Sequence, residues 1–193
     1  MKKSILAIAL SVFALTSTSA LAQTEAGHCF AKANTGLNFA ATVFTKAGNQ
    51  TVKKNLPTEF NLAVDGGYFV VDNLALGACV ELKHEGQAGN SALAYVVAPK
   101  VTYFLPLESE IKPYANLYVG YAGVNGTVKA NDVKVSTNKG GLAFGAGLGA
   151  AYFLQSNVAV SCELGYQQTS MKLDKVTSTV GRIVPTIGFS LFF

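Results

Sequence analysis

Charge is scarce in this chain. Only 13% of its 193 residues are Asp, Glu, Lys or Arg, while half are hydrophobic; roughly a quarter charged is usual in a soluble domain. That balance excludes an ordinary water-facing surface unless the chain is deeply buried or faces something other than water. Tryptophan is absent, so Tyr and Phe supply every aromatic ring. The three cysteines, Cys29, Cys79 and Cys162, are an odd number, so at least one has no partner within the chain. Strand phase puts Cys79 and Cys162 on opposite faces, which predicts small, mostly buried thiols and no disulfide. Long apolar runs are confined to residues 1–22, MKKSILAIALSVFALTSTSALA. A Lys2-Lys3 head, an apolar middle and a small-residue end predict a signal peptide cleaved before Gln23. No other run approaches the ~18 to 20 residues of a spanning helix, so export without a helical anchor is expected. Without Lys2 and Lys3 the formal charge falls from +4 to +2, too small a surplus to suggest nucleic acid. No cluster of His, Cys and carboxylates has metal-ligand spacing, so neither a metal nor a cofactor is expected.

What the chain does have is a period of two. GLAFGAGLGA (141–150) places Gly or Ala at every second position, opposite Leu142, Phe144, Ala146 and Leu148. Gly145, Gly147 and Ala150 also fit a dinucleotide-binding fingerprint, but no amphipathic helix follows them. The spacing instead predicts strands near 36–46, 58–71, 74–84, 92–105, 113–125, 140–153, 158–171 and 181–193. The second, fourth and sixth are followed by short connections, and the others by longer polar stretches. This predicts an all-β, eight-stranded antiparallel up-and-down barrel over 36–193, preceded by a short periplasmic segment, 23–35. Tyr68-Phe69, Tyr103-Phe104, Tyr152-Phe153 and Phe192-Phe193 each close an even-numbered strand. Tyr68, Tyr103, Tyr152 and Phe193 are therefore expected to form a periplasmic aromatic girdle.

Separating the faces is more informative. One collects Leu37, Val43, Val64, Leu82, Val97, Leu117, Leu148, Leu164 and Phe189 and holds no charge. The other carries every strand charge, Asp65, Glu81, Lys83, Lys100, Glu163 and Arg182, with many Gly and Ala. A soluble barrel turns its polar face to water, whereas a barrel in lipid must turn it inward. Gly145, Gly147 and Gly149 would then make room for long inward groups such as Lys100, Arg182, Glu163 and Tyr118. Pro99 and Pro185 fall inside strands, where proline has no N–H to donate, and predict a bulge or break at each.

GYFVVDNLALG (67–77), APKVTYFLPL (98–107), IKPYANLYVGY (111–121), AYFLQSNVAVSCELGY (151–166) and the terminal Phe193 resemble the small OmpA/OmpX-like bacterial outer-membrane β-barrels. The resemblance implies outer-membrane localisation, a periplasmic N-terminus, surface loops, and a C-terminal aromatic read by the barrel-insertion machinery. It supplies no catalytic residues, and no peptidoglycan-tethering role is expected.

Three functions remain open. A non-enzymatic structural or surface-interaction barrel is expected first, with a narrow ion or small-solute pore as the alternative. A lipid-modifying enzyme comes third, since His84-Glu85 has no Ser beside it at strand spacing. The six inward charges either neutralise one another as a plug or line a polar path; an eight-stranded interior should be filled. Lys53, Lys54, Lys129, Lys134, Lys139, Lys172 and Lys175 give the long connections a cationic rim. That rim either meets lipopolysaccharide phosphates or is simply solvated. The expected partners are outer-membrane lipid, lipopolysaccharide and the insertion machinery, and the expected state is a monomer.

Overall fold

The computed structural model describes residues 24–37, 42–47, 50–55, 60–87, 90–130, 133–173 and 176–193, with side chains over 24–35, 62–83, 93–125, 139–171 and 179–193. Its strands are β1 (Cys29–Leu37), β2 (Thr42–Ala47), β3 (Gln50–Asn55), β4 (Phe60–Val71), β5 (Leu74–Gln87), β6 (Asn90–Phe104), β7 (Ile111–Ala130), β8 (Val133–Gln155), β9 (Val158–Leu173) and β10 (Val176–Phe192). Neighbours run in the order β1-β4-β5-β6-β7-β8-β9-β10, and β10 pairs back onto β1. The result is a closed eight-stranded antiparallel barrel. Closure pairs the backbone groups that an open sheet edge would expose to hydrocarbon.

The first strand departs from the sequence expectation in two ways. It begins at Cys29, so residues 29–35 belong to the barrel and not to a periplasmic segment. Its outward residues Ala31, Ala33 and Thr35 are too small to mark an apolar face. Nor is 36–46 one strand. Gly36 stands opposite Thr186, but Thr42 stands opposite Ile183. Five residues thus span an interval that β10 spans with two, an odd excess of three that inverts the alternation. The register consequently sets Val43 opposite Arg182, the reverse of the phase running through Leu37. Beyond the break, β2 and β3 form a hairpin against the outer half of β10.

Pro185 occupies that interval, facing neither β1 nor β2 across a paired position, while on its other side it is opposite Leu164. Pro99 makes a milder break. Its ladder to β7 skips from Val97–Tyr121 to Lys100–Tyr118 without a register shift. A Cβ on Gly120 would collide there with the Val97 carbonyl and Ala98 Cα, so glycine lets the two strands close over the gap.

The expected long polar loops are largely strand. β7 and β8 run 20 and 23 residues, placing Lys129, Lys134 and Lys139 on one extended hairpin, Lys172 on β9, and Lys53 and Lys54 on β3. Beyond the bilayer both strand faces meet water, so an apolar alternation no longer marks them. Lys175 lies outside the described residues.

At the opposite end residues 68–76, YFVVDNLAL, and 152–160, YFLQSNVAV, repeat one structure. Both copies carry a register shift, between Phe69 and Val71 and between Phe153 and Gln155, before a two-residue turn. In the first turn Asn73 has φ 67°, a left-handed conformation that Asn tolerates better than most residues. Each inward Phe is pinned by its N–H to the residue just before the adjacent strand: Phe69 to the His28 carbonyl, Phe104 to Asn73, Phe153 to Glu110 and Phe192 to Asn157, at 2.8, 2.8, 2.8 and 2.9 Å.

The outer wall follows the expected phase from β4 onward. Leu148 is 71% exposed, Leu117 64% and Leu164 59%. Such a continuous apolar surface is a liability in water and a match for lipid. Because Leu148 lies mid-strand on this wall, Leu148→Arg should cost about 2 to 4 kcal/mol in a bilayer. Urea titration of the refolded barrel in lipid vesicles measures this; an unchanged midpoint would refute the assignment of faces.

Candidate functional site

The lumen is where the polar chemistry collects. Its end at the short Asp72-Asn73 and Ser156-Asn157 turns is closed by Phe30, Phe69, Phe104, Phe153 and Phe192, whose ring centroids are 4.9 Å apart for Phe153–Phe192 and 6.3 Å for Phe69–Phe192. Each expected aromatic pair is split, with Phe69, Phe104, Phe153 and Phe192 forming this floor and Tyr68, Tyr103, Tyr152 and Phe193 exposed on the outer wall. A second outward set, Tyr95, Tyr121 and Tyr166, occurs farther along the strands. Tyr95 and Tyr103 of β6 are separated by about 26 Å of strand, or about 20 Å along the membrane normal at a tilt near 40°.

Beneath the floor residues 24–26 are strapped across the barrel. The Lys112 ammonium donates to Thr24 Oγ1 (3.0 Å), the Thr24 hydroxyl to Asn73 Oδ1 (2.7 Å), and the Ala26 N–H to Asp72 Oδ1 (2.9 Å).

Above the floor two ion pairs cross the interior. Lys32 contacts Glu163 at 2.9 Å and Lys100 contacts Asp65 at 2.6 Å, all four side chains being buried or nearly so. The Lys32 ammonium also donates to the Tyr114 hydroxyl (2.7 Å), which donates to Glu163 (2.9 Å), and the Asn34 amide donates to Asp65 (3.2 Å). Higher still, Gln167 joins the remaining charges: it accepts from Lys83 (3.4 Å) and donates to Glu81 (2.9 Å), which also accepts from Tyr118 (3.4 Å).

The glycine stripe of β8 makes this arrangement possible. Gly145, Gly147 and Gly149 are opposite Tyr118, Asn116 and Tyr114. A Cβ would strike the Tyr118 ring at Gly145, Glu163 and Asn116 at Gly147, and the Tyr114 ring at Gly149. The stripe therefore makes room for Tyr118 and Glu163, as the alternation suggests, and for Tyr114; Lys100 and Arg182 are not among the groups it clears.

Of the six inward charges read from the sequence, Asp65, Glu81, Lys83, Lys100 and Glu163 join the lattice. Arg182 stands apart, half-buried at the outer end and without a hydrogen-bond or ion-pair partner among the described residues. The lattice also contains Lys32, which sequence reading missed because the first strand starts early. The alternation Phe30, Lys32, Asn34 was its only signal. All three cysteines are free; Cys79 is buried, Cys29 is half-buried, and Cys162 is exposed on the outer wall. His84 and Glu85 are on β5, their side chains outside those described.

The remaining space is broken into chambers. About 10 Å³ lies beside Phe30 and Phe104, about 50 Å³ around Lys100, Tyr118 and Glu163, and about 170 Å³ at the outer end beneath Tyr95 and Arg182. Asp65 and Lys100 border the first two, and Glu81 and Gln167 the last two.

A buried charge stripped of its partner costs far more than removal of both. Lys32→Met should therefore destabilise the barrel by about 3 to 5 kcal/mol, and adding Glu163→Gln should recover most of that loss. Equilibrium unfolding of the two single variants and the double variant measures the coupling; purely additive losses would show that the pair does not act as a unit.

Solved structures share this fold. Neisserial surface protein A superposes with a TM-score of 0.55 at 16% identity, covering 86% of this chain and 98% of that one. The attachment invasion locus protein Ail of Yersinia pestis gives 0.52 at 19%, covering 86% and 99%. Outer membrane protein OprG of Pseudomonas aeruginosa gives 0.51 at 15%, covering 90% and 99%. No curated protein matches in sequence. The model of the outer membrane protein β-barrel domain matches residues 7–182. With that match over most of its length, an uncharged outer wall and a charge-paired interior, the chain belongs to the outer membrane protein β-barrel family and is a protein of the outer membrane.

Proposed function

We propose that this chain is a non-enzymatic outer-membrane barrel that acts through its surface, as a structural or surface-interaction protein, and not as a pore. The observation carrying this reading is the partitioned lumen: a five-phenylalanine floor, two crossing ion pairs, and separate chambers of about 10, 50 and 170 Å³. Moving ions through it would require separating charges paired in a low-dielectric interior, at several kcal/mol each. Open aqueous channels belong to barrels of about 16 strands or more.

The outer extensions are then the working surface. The β7–β8 hairpin carries Lys129 and Lys134 at directly opposed positions, with Lys139 farther down β8. Like charges opposed across a ladder repel, and an anion between them removes that cost. Lipopolysaccharide phosphate is the partner we assign to this rim. The similar barrel Ail has been solved with the heparin analogue sucrose octasulfate, a polyanion.

Two measurements test the reading. In planar bilayers the purified barrel should show no steady open conductance; a reproducible conductance whose ion selectivity changes on Lys100→Glu would establish the pore instead. Replacing Lys129, Lys134 and Lys139 together with Gln should weaken lipopolysaccharide association at low salt, and added salt should weaken the parent protein in the same way. Equal binding by both proteins would leave the lysines as solvated charges only.

A further inference from the structure

The chamber of about 170 Å³ at the outer end differs from the rest of the lumen in chemistry as well as size. In the lower spaces the charged groups are paired, Lys32 with Glu163 and Lys100 with Asp65. In the upper one, Val96, Ala122, Val124, Met171 and Val180 form an apolar lining, and Arg182 borders it with no partner among the described residues. Glu81 and Lys83 form its base, where both are bonded through Gln167. Among the described inward charges Asp65, Glu81 and Glu163 stand with Lys100, Lys83 and Lys32, and Lys112 and Lys139 have partners of their own, whereas the Arg182 guanidinium bordering this chamber has none among the described residues.

We propose that this chamber is a dead-end receptor, entered from outside the cell, for a small monocarboxylate with an apolar body about the size of one aromatic ring. A guanidinium presents a rigid fork of donors that matches a carboxylate in two-point contact, and it cannot discharge itself by losing a proton. Glu81 disfavours a second negative charge deeper in the chamber, which limits the ligand to one. The apolar lining takes the body of the ligand, and the volume fits it: an apolar cavity of about 150 Å³ holds benzene. Nothing on the inner side lets the ligand continue, because Glu81 and Gln167 separate this chamber from the next. The inference is independent of whether the lysine rim binds lipopolysaccharide.

Met171 offers a direct readout. The chain has methionine only at Met1 and Met171, so in a ¹³C-methyl methionine spectrum of the barrel in micelles the signal lost in Met171→Leu reports from the chamber wall. Benzoate is the probe, with the neutral isostere benzamide as its control. Benzoate should shift the Met171 signal saturably, and benzamide should need at least tenfold more ligand. Arg182→Leu should weaken benzoate at least tenfold. Ala122→Leu and Ala94→Leu, which fill the space without touching a charge, should abolish the saturable shift; either one that retains the amide spectrum of the parent suffices. The proposal fails if the signal does not move, if benzoate and benzamide produce the same unsaturating drift of detergent partition, or if Arg182→Leu binds benzoate as the parent does.

Discussion

Hydrocarbon solvates neither a charge nor an unpaired backbone group, and the rest of this structure follows from that constraint. The backbone meets it by closure, with β10 returning to β1 so that no lateral edge faces lipid along that seam. The side chains meet it by inversion, with leucine and valine outside and Lys32, Asp65, Glu81, Lys83, Lys100, Glu163 and Arg182 inside. Inversion creates a second problem, since an eight-stranded interior is narrow and poorly solvating. Crossed lysine–carboxylate pairs solve the charge part of it, through Lys32–Glu163 and Lys100–Asp65. The glycines of β8 solve the volume part, by giving up Cβ atoms where Tyr114, Tyr118 and Glu163 need space. The empty-looking face of GLAFGAGLGA is thus the complement of a crowded one on β7 and β9.

The fold was legible in the sequence wherever one strand face touches lipid, because there the alternation between large apolar and small or polar residues is enforced at every step. From β4 to β10 the phase read from the residues is the phase of the structure. It was not legible where that enforcement lapses. In β1 the outward residues are Ala31, Ala33 and Thr35, so the strand lacks the bulky alternation that identifies the others, and Lys32 went unnoticed with it. Between Gly36 and Thr42 an odd excess of residues reverses the phase, which no local pattern announces. Beyond the bilayer both faces meet water, so the ends of β7 and β8 read as polar loops although they are paired residue by residue. Asp65, Glu81, Lys83, Lys100, Glu163 and Arg182 were recognised as one set, but which of them pair was not, because pairing across a barrel depends on tilt and shear, which residue spacing does not contain.

The floor shows how a short motif serves two environments. In Tyr68-Phe69, Tyr103-Phe104 and Tyr152-Phe153 a one-residue step reverses the direction of the side chain. Tyrosine, with an apolar ring and a hydroxyl, suits the membrane interface, while the adjacent phenylalanine has no polar atom to satisfy and suits a dry plug. The same step recurs at Phe192-Phe193. Phe69, Phe104, Phe153 and Phe192 each have their N–H held by the carbonyl just before an adjacent strand, so the floor and the ends of the strands fix each other.

The two halves of the lumen then differ in what they tolerate. Near the floor an unpaired ammonium would lie in an almost water-free space, where the cost of several kcal/mol per charge forces every ion to find its opposite. At the outer mouth Arg182 is only half-buried, and water can carry part of its charge at far lower cost. The register break of β1 and β2 and the adjoining Pro185 occur in the same outer half of β10, and that strand is held continuously by β9 from Val176 to Leu191. The half next to the phenylalanine floor is therefore the more closely filled, with its charges paired. The outer half is left with the two features a binding site needs, unfilled apolar space and a charge still available to a ligand.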